Sequence, residues 1–182
     1  AGSTCDTPVS GIDFYPTFLE LVGLPVPAAQ MIDGQSMVPL LKGEPSPQLE
    51  TRDLFWHYPH YGNQGGEPSS SIRSGPWKLI YSHEDGHDEL YNLDTDPGEQ
   101  TDVMVDNQAK AVELRRRLDQ WLKETGAKFP VLDAEYDAAK ELARLHHLEH
   151  ELMPKLEAEH AQYLDPDWQP NEDWWGSQVV KD

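Results

Sequence analysis

The chain has 182 residues, with 14 Lys or Arg against 33 Asp or Glu, and its formal net charge at neutral pH is −19. This charge argues against partners such as nucleic acid and anionic membrane surfaces. No apolar run reaches the roughly 18 residues of a membrane span. The single cysteine, Cys5, excludes an internal disulfide. The length allows one domain with a substantial core, or a smaller domain with appendages.

Two short helices are predicted within the first 50 residues. Asp13 is suited to cap a helix that ends at Gly23. The apolar residues of this helix recur at helical spacing and form one stripe: Phe14, Phe18, Leu21 and Val22. Ser36 is suited to cap a second, brief helix that runs through Leu41. We expect that both helices need a cover from outside the chain.

Four antiparallel strands in sequential order are predicted next. Residues 77–82 and 89–93 alternate between apolar and polar side chains around Asp85-Gly86, which is typical of a β-hairpin. Residues 69–73 form a short strand before this hairpin. Residues 52–58 form the first strand, which is nearly apolar throughout, so we predict that it lies inside the sheet or is covered on both faces.

A long helix is predicted from about Asn107 to Thr125, with one apolar stripe that should lie across the sheet. The fold class is therefore α+β: a four-stranded antiparallel sheet with a long helix packed across it, flanked by short N-terminal helices and a helical C-terminal extension. The expected core comprises Leu54, Trp56, Leu79, Tyr81, Leu90, Leu93, Leu118 and Trp121.

The segment after Pro130 is predicted to be a helical extension followed by an acidic, Trp-rich arm. Its helix carries a leucine stripe at spacings of 3 and 4: Leu142, Leu145, Leu148, Leu152 and Leu156. Pro154 should kink the helix or begin a new one. His146 and His150 share a helix face, but the sequence around them does not match His-Glu-x-x-His, so we interpret them as part of a solvated polar face.

Three blocks of sequence, in order, resemble a known family. The hairpin reads Ile-Arg-x-Gly-x-Trp-Lys-Leu-Ile and then Glu-Leu-Tyr-Asn-Leu-x-x-Asp-Pro-Gly-Glu, and residues 12–23 and 33–43 supply the other two blocks. Together they resemble the C-terminal portion of type I sulfatases, which are arylsulfatase-like, formylglycine-dependent enzymes of the alkaline phosphatase superfamily. The resemblance implies that residues 1–50 are the tail end of an N-terminal α/β domain and that residues 51–130 are the C-terminal subdomain. Residues 131–182 form the extension.

The resemblance implies hydrolysis of sulfate esters, with a sulfated saccharide as the substrate. The family's nucleophile comes from Cys-x-Pro-x-Arg or its Ser counterpart, whereas Cys5 is followed by Asp-Thr-Pro-Val. We therefore expect no cofactor in this chain, with calcium and the formylglycine in an N-terminal catalytic domain, and no activity from the chain alone. The partner is expected to be that domain or a second copy of the chain. The family also implies a periplasmic or secreted location.

The candidate substrate-binding residues lie on a Gly- and Pro-rich loop after the first strand, together with one arginine. They are His57, His60, Tyr61, Asn63 and Arg73. Aromatic faces stack on sugars while imidazole and amide groups bind hydroxyls and sulfates, and in the resembling family this region forms one wall of the active-site pocket. The alternatives are that Tyr58 and Tyr61 only pack while the histidines cap loop carbonyls, and that Arg73 pairs with a carboxylate such as Glu89.

Two other functions fit the same pattern. The first alternative is a glycan-binding or protein-interaction module without catalysis. The second is the same region of a phosphonate or phosphate monoester hydrolase. A Cys- or Ser-x-Pro-x-Arg block upstream would select the sulfatase.

Overall fold

The computed structural model describes residues 2–62 and 66–169. The chain forms two compact units, residues 1–130 and residues 131–182, and each is considered by itself. The elements of the first unit are α1 (Phe14–Leu21), α2 (Val38–Leu41), α3 (Pro47–Glu50), β1 (Asp53–Tyr58), β2 (Ser69–Ser74), β3 (Trp77–Ser82), β4 (Asp88–Asn92) and α4 (Gln108–Glu124). None of the helices in the described residues combines the length and the apolar character that crossing a membrane would require.

The four strands form one antiparallel sheet in the order β1-β2-β3-β4, as the sequence predicted. The predicted turn between β3 and β4 contains Gly86, whose φ of 79° lies in the left-handed region that favours glycine. The amide of Ser82 donates to the carbonyl of His87 across this turn at 3.0 Å. The hairpin prediction is confirmed.

Helix α4 packs across one face of the sheet and closes the core. The fully buried residues come from both layers: Ile72, Leu79 and Leu90 from the sheet, and Ala111, Leu114, Leu118 and Leu122 from α4. At the edge of this core the rings of Phe55 and Trp121 stack with centroids 4.8 Å apart. Arg117 forms an ion pair with Asp53, which ties α4 to the start of β1. The predicted α+β arrangement is confirmed.

The prediction for β1 was wrong in two respects. β1 is an edge strand, and its register places Phe55 opposite Ile72, so Phe55 and not its neighbours faces α4. Because side chains alternate between the two faces of a strand, Leu54 and Trp56 point to the opposite face and do not join the α4 core. Leu54 is buried there, but Trp56 is 44% exposed.

The segment before β1 is held to the sheet by the buried carboxylate of Asp13. This residue precedes α1, as predicted, but its side chain does not cap that helix. It accepts hydrogen bonds from the amides of Ser10 at 2.7 Å and Gln35 at 2.9 Å, and it forms an ion pair with the guanidinium of Arg52, just before β1. One carboxylate therefore joins three segments that are distant in sequence.

The second unit contains α5 (Ala138–His147) and α6 (Met153–Tyr163), joined by a π-helical segment, Leu148–Leu152. Pro154 is the second residue of α6 and follows directly on the π-helical segment, as expected of a proline that interrupts an α-helix. Within the described residues the predicted leucine stripe is largely exposed, with Leu142 70% exposed. The Trp168 ring contacts the Tyr163 ring at 4.8 Å. The rest of the predicted Trp-rich arm lies outside the described residues.

Candidate functional site

Three of the aromatic side chains near the end of β1 form an exposed surface. Trp56 and Tyr58 alternate along the strand and so share the face opposite α4, where they are 44% and 53% exposed. The ring of His60 packs edge-on against Tyr58, with centroids 5.5 Å apart. We call Trp56, Tyr58 and His60 the aromatic face. Tyr61 follows directly and is 65% exposed.

Arg73 lies on the same face of the sheet but at its other end. Its strand partner in β1 is Leu54, four residues from Tyr58, which corresponds to about 13 Å along the strand. The structure therefore does not bring Arg73 next to His60 and Tyr61. Among the described residues Arg73 has no carboxylate partner, and its Nε donates to the carbonyl of Gly75 at 3.3 Å.

The alternative partner for Arg73, Glu89, is engaged elsewhere. Its carboxylate lies 3.6 Å from Nε2 of His87. The cross-strand neighbour of Arg73 is Lys78, whose ammonium group binds both carboxylate oxygens of Glu99 at 2.7 Å. Arg73 is therefore a local positive charge on the sheet face of a strongly acidic chain.

His57 points to the opposite face of β1, towards α4. Its Nδ1 lies 2.7 Å from the hydroxyl of Ser70, and its Nε2 lies 2.9 Å from the carbonyl oxygen of Lys128. The same Ser70 hydroxyl lies 2.8 Å from Nε2 of His83. Both ring nitrogens of His57 are therefore bound by the protein, and His57 lies on the opposite side of the sheet from Tyr58 and the His60 ring that packs on it. Direct substrate contact by His57 stays a prediction.

Aromatic and charged groups surround this second cluster. Phe129 packs edge-on against the rings of His57 and His83, at 5.9 and 5.4 Å. Tyr81 packs against His83 at 4.9 Å and carries the guanidinium of Arg115 3.5 Å above its ring. Burial, and then the electrostatic interactions with His57 and Arg115, lower the pKa of His83 below its ordinary value of 6.5.

The residues present do not fit the metal or the nucleophile that the family resemblance implies. Within residues 2–62 and 66–169, no group of three or more His, Cys, Asp or Glu side chains is placed to hold a metal ion. Cys5 is exposed and lacks the arginine of the nucleophile motif. Asn63, the remaining candidate, lies outside the described residues.

The sequence missed Trp56, Ser70 and His83. Trp56 was assigned to the core because the first strand looked apolar on both faces. Ser70 carried no signal, since a serine in a strand is ordinary. His83 lies between the predicted strands, residues 77–82 and 89–93, and was not singled out. The register places Ser70 opposite both His57 and Tyr81, so it brings Ser70 next to His57 and His83 and leaves Trp56 on the other face.

A four-stranded antiparallel sheet covered by one long helix, preceded by short helices, defines a small α+β domain. Residues 1–128 match the family model described as N-sulphoglucosamine sulphohydrolase, C-terminal. The chain belongs to this family. The resemblance to the C-terminal portion of a sulfatase of the alkaline phosphatase superfamily is thereby confirmed.

Individual relatives agree with the family. The chain is 36% identical over 131 residues to a sulfatase from Formosa agariphila, covering 65% of this chain and 24% of that protein. It is 30% identical over 132 residues to an N-acetylglucosamine-6-O-sulfatase from Bacteroides thetaiotaomicron, covering 71% and 23%. The crystal structure of a putative sulfatase from Bacteroides thetaiotaomicron superposes with a TM-score of 0.56 at 25% identity, covering 70% and 27%. The chain thus spans about a quarter of the length of these relatives.

Proposed function

We propose that this chain is the C-terminal part of an enzyme that hydrolyses sulfate esters of a sulfated saccharide, and that it forms one wall of the substrate pocket. The observation that carries the proposal is the family match over residues 1–128. A relative named N-acetylglucosamine-6-O-sulfatase supports a saccharide as the substrate class.

The binding surface in this proposal is the aromatic face together with Tyr61. Exposed rings offer flat apolar area on which the C–H faces of a sugar can stack, and His60 and Tyr61 add polar groups that can bind hydroxyls. Arg73 supplies a positive charge about 13 Å along the sheet from Tyr58. A saccharide that stacks near Tyr58 and also reaches Arg73 must span about this distance, so Arg73 can bind an anionic group on a more distant ring.

The proposed partner is the enzyme's own N-terminal catalytic domain, which would supply the formylglycine nucleophile and calcium. The stripe of α1 supports this, because Phe14 is 52%, Phe18 is 60% and Leu21 is 57% exposed. Each such side chain is about half exposed and so forgoes about half of the roughly 1.5–3 kcal/mol that full burial contributes. A surface of this kind normally marks an interface.

The test uses the protein in which this chain is joined to its upstream catalytic sequence. Replacing Tyr61 or His60 by Ala should lower kcat/KM for a sulfated oligosaccharide by roughly 5- to 100-fold, chiefly through a higher KM, because a binding contact is lost while the reacting groups are intact. The loss for a small aryl sulfate should be smaller. Tyr136→Ala is a matched control, since Tyr136 is also 65% exposed.

Arg73→Met tests the positive charge in the same assay. It should raise KM most for substrates with a second anionic group, and Arg116→Met, at an exposed position of α4, serves as its control. Equal kcat/KM values for the site variants and the control variants would contradict the proposal that this surface forms a wall of the substrate pocket. Faster turnover of a phosphate or phosphonate monoester than of any sulfate would instead select the related hydrolase, and saccharide binding without turnover would select a binding module.

A further inference from the structure

The cluster of His57, Ser70 and His83 contains a hydrogen-bond chain whose direction can be derived. Ser70 is 1% exposed, and its hydroxyl lies between the two imidazoles, 2.7 Å from Nδ1 of His57 and 2.8 Å from Nε2 of His83. The chain ends at the carbonyl oxygen of Lys128, 2.9 Å from Nε2 of His57. A carbonyl oxygen only accepts, so Nε2 of His57 carries a proton and donates it.

The positions of the other protons in the chain follow from the proton on Nε2 of His57. In neutral His57 the other nitrogen, Nδ1, has a lone pair and accepts from the Ser70 hydroxyl. The Ser70 oxygen then accepts from Nε2–H of His83. Both histidines are thus fixed as Nε2–H tautomers, and every donor in the chain has an acceptor.

The cluster accommodates one added proton but not two. A proton on Nδ1 of His83 leaves all three hydrogen bonds in place. A second proton, on Nδ1 of His57, turns both imidazoles into donors towards Ser70, and the buried hydroxyl hydrogen then has no acceptor in the cluster. The two cationic rings would also lie only 5.5 Å apart between centroids.

The charged groups around the cluster favour the neutral state of His83. From α4, Arg115 lies over Tyr81 and lowers the pKa of His83 further, after burial and His57. Arg115 is itself bound to Asp88 of β4 at 2.7 Å and to Asp119 of α4 at 2.9 Å. A histidine whose folded pKa is depressed contributes stability above its unfolded value of 6.5, and that contribution is lost as pH falls through the lower folded value.

The cluster holds both ends of the loop that leads from β1 to β2. His57 lies three residues before His60, and Ser70 is its strand partner on the other side of the loop. The backbone amide of His83 donates to the carbonyl of Pro68 at 2.8 Å, which fixes the loop just before β2. The carbonyl of Lys128 and the ring of Phe129 add the segment after α4 to the same cluster.

We propose that Ser70 and His83 are positioning residues which, with His57, hold the base of the loop that carries His60 and Tyr61, and that double protonation of the two histidines releases this base in acid. The inference rests on the proposed function only in taking that loop as a substrate-binding segment. The proposed regulation is a loss of order at the base of the loop, where His57 and Ser70 pair, and therefore of saccharide affinity, as pH falls below the ordinary histidine range.

The experiment measures tautomers and amide protection by NMR in the 182-residue chain. At pH 7.5 the long-range ¹⁵N spectrum should show both rings as Nε2–H tautomers. The amide of His83 should be protected from exchange, and its protection factor should fall as pH falls from 7.5 to 5. Ser70→Ala should reduce that protection at pH 7.5 by roughly five- to tenfold, the effect of one lost hydrogen bond, and should remove most of its dependence on pH.

Ser71→Ala is the matched control, because Ser71 is the next residue of β2 and points to the opposite face. It should keep the wild-type tautomers and the wild-type dependence on pH. If Ser70→Ala prevents folding, the wild-type titration still decides: two coupled steps accompanied by loss of His83 protection support the proposal. Independent titration of both rings with unchanged protection overturns it, as does an Nδ1–H tautomer of His57. None of these measurements depends on sulfatase activity, so a failure of the proposed function would be seen separately.

Discussion

Replacing Asp13 by Asn tests how the segment before β1 is attached to the sheet. The Asp13 carboxylate is fully buried and pairs with Arg52, whose side chain is 14% exposed. Asn keeps the size of the side chain and one acceptor oxygen but removes the negative charge. The guanidinium of Arg52 is then left nearly buried without a counter-ion.

The expected loss is large because of this unpaired charge. Removing one partner of a buried ion pair costs about 3–5 kcal/mol. With a urea dependence of about 2 kcal/mol per M, typical of small proteins, the unfolding midpoint should fall by about 2 M. Arg52→Met should cost a similar amount. The double variant should cost less than the sum by roughly 0.5–3 kcal/mol, since it leaves no charge behind.

Urea unfolding followed by tryptophan fluorescence measures these differences, with Trp77 and Trp121 packed against the core of the first unit. Lys155→Ala is the control, because its ion pair with Glu159 joins exposed side chains at 3.8 Å, and it should leave the midpoint unchanged. A loss below about 1 kcal/mol for Asp13→Asn, or strict additivity in the double variant, would refute the attachment argued here.

The pH dependence provides a second check on the same carboxylate. Burial raises the pKa of Asp13, but hydrogen bonds from Arg52, Gln35 and Ser10 outweigh it, and the pKa lies below its ordinary value of 3.8. A depressed carboxyl pKa gives stability that is present above the unfolded value and is lost as pH falls through the folded value. The free energy of unfolding should therefore fall less steeply below pH 3.8 in Asp13→Asn than in the wild type.

Two further predictions follow from close packing and from exposure. Gly34→Ala should destabilise the first unit by several kcal/mol, because an added Cβ would lie 2.0 Å from the carbonyl oxygen of Ile12, whereas Gly11→Ala meets no atom within 4 Å; equal unfolding midpoints would contradict this. The isolated chain should bind an apolar dye or self-associate through α1, and Phe18→Ser should reduce both effects. A monodisperse wild-type monomer of 20.7 kDa without dye binding would refute this.

The fold could be predicted because its signals are local. Alternation in residues 77–82 and 89–93, the Asp85-Gly86 turn and the stripe of α4 each specify an element independently of the others. Their order then leaves few arrangements other than an antiparallel meander under a helix. Element bounds differ from the predictions by a residue or two, as at β4, which begins at Asp88.

The candidate site could be predicted only in part, because it depends on which residues of β1 point to which face of the sheet. A shift of one residue exchanges the two faces of a strand, and nothing local in the apolar run of β1 states which face meets α4. The register answers this: it sends His57 inward to Ser70 and leaves Trp56 and Tyr58 outward. His57 and His60, only three residues apart and grouped together by the sequence, therefore have different contacts.

The ion pair between Asp13 and Arg52 connects the stripe of α1 with the aromatic face. Asp13 directly precedes α1, whose stripe lacks a cover among the described residues, and Arg52 directly precedes β1, which carries Trp56 and Tyr58. The pair is buried, and the Asp13 carboxylate also accepts hydrogen bonds from the backbone amides of Ser10 and Gln35. Therefore α1 cannot shift far relative to β1 without breaking these interactions. Whatever docks on α1 is thereby held in a defined position relative to the aromatic face. Loss of this pair should accordingly impair saccharide binding in the joined enzyme even under conditions where the sheet itself remains folded.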